Sequence, residues 1–203
     1  PLRRQRQMCI RDRFRIMRLC ISPQSNESSP RNCQAFVEAM KAEEWYWLVI
    51  ASLEREPLQE RESDERGGDG EVIRQDFVLE RMQALKLIRC IMQCTPSVFP
   101  LAFARSLVAV SESNKENIRR VCLETLRELC VLNPRLAVES QAFETLLETV
   151  FDPSMFDLID SIVNTILFML TNPLSRCVLR PHLHLRALIA PFTDIDADEK
   201  AQL

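Results

Sequence analysis

A chain of 203 residues that is 46% hydrophobic and 27% charged has apolar material for a sizeable core and the composition of an ordinary folded protein. A net charge of −3 supplies no general basic surface for nucleic acid, and 6% aromatic residues with a single Tyr leave no array of stacking platforms for bases. No uninterrupted apolar run reaches the ~18 residues of a membrane span. Gly occurs only three times, as expected where helices dominate and few positions need positive φ.

Residues 1–18 hold seven Arg and one Asp. A basic arm for nucleic acid or acidic lipid is one reading and a disordered tail another. A third is favoured: QRQMCIRDR at 5–13 resembles translated adapter sequence, which would make it foreign to the protein. SPQSNESSPRN at 22–32 is a polar linker with two prolines. Residues 1–33 are thus expected to be a disordered or non-native segment, ahead of a helical-repeat domain over 34–193. No apolar segment follows the basic start as it would in a secretory signal. The eight Cys are accordingly expected as reduced thiols of a cytosolic or nuclear protein, and the cytoplasm is the expected location.

QAFVEAMKAEEWYWLVIASLER at 34–55 is the first helical candidate of the domain, with Phe36, Met40, Trp47 and Leu48 roughly on its core face. Trp45, Tyr46 and Trp47 in a row cannot all face one way, so at least one must meet a neighbouring element or a partner. Residues 54–71 then change character, with eight acids, three Arg and all three glycines. A flexible acidic loop is expected there. Its GGDG lacks both the Lys-Ser/Thr and the preceding strand of a phosphate loop.

DFVLERMQALKLIRCIMQCTP at 76–96 is the stretch around which the rest of the chain is ordered. Phe77, Met82, Leu85, Ile88 and Met92, with Leu87 and Ile91 beside them, recur at three- and four-residue steps, while Arg81, Lys86, Arg89 and Gln93 fall on the other side. Thr95-Pro96 ends the helix, because the residue before proline is pushed out of the helical region. A helix over 97–110 is expected next, with Phe99, Phe103, Leu107 and Val110 inward. Then come a polar turn at 111–117 and a helix over 117–132, with Ile118, Val121, Cys122, Leu126, Leu129 and Cys130 inward. Shorter helices are expected over 134–139 and 141–151. The helix expected over 154–171 is apolar on nearly all sides, which implies burial from both faces by a further layer at 174–190. Residues 194–203 form an acidic tail.

Pro96, Pro134 and Pro173 each close such a run, in CIMQCTP, ELCVLNP and LFMLTNP, at spacings of 38 and 39 residues. A period near 40 is that of armadillo/HEAT repeats, in which helix pairs stack because none can bury its apolar face alone. The expected fold is therefore all-α, an armadillo/HEAT-like helical-repeat solenoid (α-α superhelix). With about three repeats and no terminal cap in view, it reads as a piece of a longer one.

Candidate chemistry is sparse. Cys90 and Cys94 lie one helical turn apart, and Cys177 precedes His182 and His184. Four such groups could hold zinc if they met, but the cysteines lack a CxxC turn and cysteine on an apolar face is commonly core filling. Ser111, Ser113 and Ser175 are possible phosphorylation sites, or merely serines in solvent. No nucleophile motif accompanies the two histidines. No catalytic, cofactor-binding or metal-binding residue is assigned.

VIRQDFVLERMQALKLIRCIM, SVFPLAFARSLVAV, LRELCVLNPRLAV and LRALIAPFTD resemble the N-terminal armadillo-like region of the Rictor (pianissimo) family. The likeness spans about residues 45–197 and is densest at 76–110. Residues 1–44 do not fit it, and 54–71 looks like an insertion. The resemblance implies a non-enzymatic scaffold of the second target-of-rapamycin complex, supporting phosphorylation of Akt-class kinases and growth and actin signalling. Its implied partners are the target-of-rapamycin kinase and the stress-activated-kinase-interacting subunit. The alternative is another armadillo/HEAT protein-binding adaptor such as a transport carrier, against which stands the absence of that carrier's spaced Trp/Asn array.

Overall fold

The computed structural model describes residues 2–21, 30–42, 45–55, 69–112 and 116–179. Among these every regular element is helical and there is no strand. The expected all-α helical-repeat fold is what the structure has. The helices are α1 (Leu2–Ile21), α2 (Pro30–Ala42), α3 (Trp45–Glu54), α4 (Asp69–Cys94), α5 (Leu101–Ser111), α6 (Glu116–Leu132), α7 (Pro134–Glu139), α8 (Ala142–Thr149), α9 (Phe156–Thr171) and α10 (Pro173–Arg176). Single 3-10 turns at Pro96–Val98 and Pro153–Met155 precede α5 and α9. The chain divides into two compact units, Pro1–Val110 and Ser111–Leu203.

The first unit is built on α4, against which α1, α2 and α3 all pack. Ala84, Leu85, Leu87, Ile88, Ile91 and Met92 are fully buried along it. A helix with three neighbours needs more than one apolar stripe, and each fully buried Leu or Ile here stabilises by roughly 1.5–3 kcal/mol. The same crowding corrects the expected wet side. Arg81 is buried, and its guanidinium donates a hydrogen bond to the Arg55 carbonyl at the end of α3. Phe77 and Met82, expected inward, are only half-buried.

Upstream of α4, where residues 1–33 were expected to be a disordered or non-native segment, Leu2–Ile21 forms α1 and α2 begins at Pro30. Phe14 and Ile21, seven residues apart and so on one helical face, are buried where α1 lies along α4. The single helix expected over 34–55 is two, α2 and α3. Val37 and Met40 are buried from α2, and Val49, Ile50 and Leu53 from α3. Most of the acidic loop, at 56–68, lies outside the described residues, while its last residues open α4.

The second unit is built on α6, which contacts α7, α8 and α9, while α10 lies against α9 and α7. Ile118, Cys122, Leu126, Leu129 and Cys130 are buried as expected, joined by Leu123 and Thr125, and Val121 is half-buried. Two ion pairs tie the start of α6 to the start of α9: Arg119 with Asp152, and Arg120 with Asp157. Between α7 and α8 the chain turns at Gln141, whose φ of 68° is the one positive value at a non-glycine residue among the described residues.

The proline period has a structural meaning. Pro96, Pro134 and Pro173 each open the short helical element that comes after a long helix: α4, α6 and α9 respectively. Proline suits the first helical position, where its missing N–H would bond nothing. Asn133 and Asn172 also accept hydrogen bonds through their side chains, from the backbone N–H of Leu136 at 3.1 Å and of Leu174 at 2.9 Å. Thr95 instead donates its hydroxyl back to the Ile91 carbonyl at 2.9 Å. The grammar "long helix, Xaa-Pro, short helix" is thus repeated three times.

The stretch Pro153–Thr171, a 3-10 turn continued by α9, is long and apolar enough to cross a membrane by length and composition, although Asp157, Asp160 and Asn164 interrupt its apolar run. Leu158, Ile162, Ile166 and Met169 bury one of its faces, while α6, α8 and α10 pack against it. Asp157 and Asp160 are exposed on another face. α9 thus buries one face against its neighbouring helices and leaves another open.

Candidate protein-interaction surfaces

The Trp45-Tyr46-Trp47 triplet resolves into three roles. Tyr46 stacks on Phe103 of α5, with ring centroids 4.4 Å apart and planes 22° from parallel. Burial pushes its phenol above the ordinary tyrosine value, against a backbone hydrogen bond from Ala102 that pulls it down. Trp45 is half-buried beneath the guanidinium of Arg13, 5.2 Å from the ring centroid, a cation–π contact. Trp47, expected inward, points out: 65% of it is exposed. Exposed tryptophan is uncommon and suits an anchor for a partner, since it presents a large apolar area with few rotors to freeze.

A second apolar surface runs along α9. Phe156, Ile159, Val163, Leu167 and Leu170 succeed one another along α9 at three- and four-residue steps, and Leu174 lies beyond the helix end on α10. Phe156 is 79% exposed, Leu167 51% and Leu174 81%, while the other three are half-buried. Burial of this helix from both faces was expected; among the described residues the stripe is open. The layer expected at 174–190 begins as α10, which ends at Arg176. Residues 180–203, with His182, His184 and the acidic tail, lie outside the described residues.

The candidate ligand residues part company. Cys90 and Cys94 are in the first unit and Cys177 is exposed in the second. No group of three or more His, Cys, Asp or Glu side chains among the described residues has the placement of a metal site. Burial pushes the Cys90 thiol up to about 12, reinforced by neighbouring Cys94. Cys130 is also raised to about 12, first by burial and then by the charge of Glu144. Thiols so raised stay protonated at neutral pH and behave as small apolar groups. Ser111 and Ser175, considered as modifiable serines in solvent, are both buried, and Ser113 lies outside the described residues.

Sequence reading missed Cys33. It is buried on α2 in line with Val37 and Met40, and burial, reinforced by neighbouring Cys94, pushes its thiol up to about 11. Its spacing to those residues, at steps of four and three, was the available signal. A helix taken to start at residue 34 leaves it out by one position.

Residues 2–203 match the N-terminal family of the rapamycin-insensitive companion of mTOR. The chain belongs to that family. Among relatives of this Rictor family segment, protein pianissimo A of Dictyostelium discoideum is 36% identical over 115 residues, covering 57% of this chain and 10% of that protein. The mouse rapamycin-insensitive companion of mTOR is 31% identical over 125 residues, 60% of this chain and 7% of its own length. The target of rapamycin complex 2 subunit TSC11 of Saccharomyces cerevisiae is 26% identical over 118 residues, 58% and 8% respectively. The matched segment is thus a tenth or less of each of these relatives. No solved structure matches the chain.

Proposed function

We propose that this segment belongs to a non-catalytic scaffold subunit of the second target-of-rapamycin complex. The observation that carries this reading is the family match over residues 2–203, together with relatives named as subunits of that complex in two yeasts. The helical-repeat fold supports it, since stacked helices offer long outer faces to partners. Exposed Trp47 and the open α9 stripe are the surfaces through which this segment contributes to assembly. On this reading the parent protein joins the target-of-rapamycin kinase to the stress-activated-kinase-interacting subunit and supports phosphorylation of Akt-class kinases in the cytoplasm.

Affinity capture of the full-length parent from its own cells tests the proposal. The kinase and the companion subunit are expected in the eluate, and Trp47→Ala together with Leu167→Ser is expected to reduce their yield. Recovery of neither protein would overturn the assignment. Unchanged yield with the double variant would leave the complex standing but remove these two surfaces from it.

A further inference from the structure

The arginine-rich start of the chain has no part in the surfaces assigned above. α1 carries seven Arg and one Asp. Among the described residues it packs chiefly on α4, and to a lesser extent on α2. Phe14 and Ile21 are buried and Ile10 and Met17 half-buried, at steps of three and four that define its inner face. Ile16 and Leu19, three apart on the opposite face, are 59% and 58% exposed. Arg11, Arg15 and Arg18 run along one side of that pair, again at steps of four and three, and Arg15 is exposed. On the other side Arg13 is exposed, with its guanidinium 5.2 Å from the centroid of the Trp45 ring. The outward face is an aliphatic centre between two arginine edges. Ile16, Leu19, Arg15 and Arg18 all lie beyond the adapter-like stretch 5–13.

Such a face discriminates among polyanions. Nucleic acid offers phosphates to arginine and base faces to aromatic rings, but little to two aliphatic side chains. An acidic peptide needs a groove or a sheet edge to lie in, and the outer face of α1 is one convex helix. An anionic bilayer is flat, is negative at its headgroups, and takes aliphatic side chains just beneath them. Arginine suits that boundary, since its stem lies along apolar surface while its guanidinium stays in the polar layer. We propose that α1 docks on an anionic lipid bilayer, with Ile16 and Leu19 entering the boundary between headgroups and acyl chains and the arginine edges pairing with lipid phosphates.

The charge complementarity is local. The whole chain carries −3, whereas the seven Arg and one Asp of α1 leave that helix at +6. Attachment of this kind is peripheral, and its strength is set jointly by the apolar area inserted and the attraction to anionic headgroups. Salt should weaken the second part, because it screens charges beyond ~10 Å at 0.1 M. The inference is independent of the proposed scaffold role, and its failure would leave that role untouched.

The test is co-sedimentation of the 203-residue chain with lipid vesicles. The chain should pellet with vesicles of phosphatidylcholine mixed with phosphatidylserine, about tenfold more strongly than with phosphatidylcholine alone, and less as salt is raised. Ile16→Ser combined with Leu19→Ser, and separately Arg15→Glu, should each lower the partition coefficient about tenfold. These side chains are exposed, so both variants should melt with the parent. Leu132→Ser, at an exposed position of α6, should bind as the parent does. Failure to pellet with the mixed vesicles, equal binding to neutral vesicles, or unchanged binding of the Ile16/Leu19 variant would each overturn the proposal. So would RNA or polyglutamate holding the chain as tightly as the mixed vesicles, since that would mark a general anion-binding face.

Discussion

The two units use one device in different materials. Each has a central helix against which three others pack, α4 in the first and α6 in the second. In the second unit the chain turns from one helix to the next through ends set locally, by Asn133, Asp152 and Asn172 with the prolines directly after them. In the first unit α4 has 26 residues and its neighbours arrive from upstream across long connections. Its buried surface also takes in charge, at Glu80 and Arg81. The difference teaches that capped helices announce themselves, whereas a helix crowded on several sides is defined by the elements that come to lie on it.

The strongest test of that comparison is a charge in each central helix. Leu85→Asp in α4 and Leu126→Asp in α6 both place a carboxylate at a position with no exposure. Each should cost several kcal/mol and abolish the cooperative thermal transition, because an ionised carboxylate is being taken out of water into an apolar core. A melt matching the parent for either variant would show that the helix named is not the centre of its unit.

A cap should matter next. Asn133→Ala removes the side-chain acceptor for Leu136 N–H and should cost about 1 kcal/mol in denaturant titration. The equivalent change at Thr95, whose hydroxyl makes no such cap, should cost less. Equal losses would erase the contrast between a locally capped unit and one held by packing.

Gln141 offers a change in the opposite direction. At φ 68° its Cβ crowds the backbone, so Gln141→Gly should stabilise by up to about 1 kcal/mol, read as a rise in Tm. A fall would mean that the Gln141 side chain holds the α7–α8 corner.

The smallest expected effect is on the acid side. Asp152 is held below the usual carboxylate value of 3.8, first by hydrogen bonds from Ser154 and then by Arg119. A depressed folded value means the contribution is present above the unfolded value and is lost as pH falls through the folded one. Asp152→Asn should therefore be slightly less stable than the parent at neutral pH, and the two should converge below about pH 4. A difference that persisted at low pH would assign the loss to packing rather than to charge.

Legibility depended on where the deciding contacts lie. Helices at 116–132, 134–139 and 156–171 were readable within a residue or two, since each starts or stops at local chemistry, an asparagine or aspartate before proline. The buried residues of α6 came from a helical period alone. The outward turn of Trp47 did not, because Tyr46 competes for the same interior and wins by stacking on Phe103, far along the chain. Nor did the burial of Arg81, whose partner is the carbonyl of Arg55. Cys33 beside Cys94 was beyond reach for the same reason.

The sequence by itself determined the helical class, the repeat near 40 residues, the proline-marked helix starts and the Rictor-family likeness, all of which are written in spacings of a few residues or in matching text. Only the tertiary structure decided that α1 lies on α4, that α2 and α3 are separate, that three cysteines from two helices meet, and that Ser111 and Ser175 are buried. Those outcomes depend on which distant surfaces exclude water from one another, and no local period records that choice.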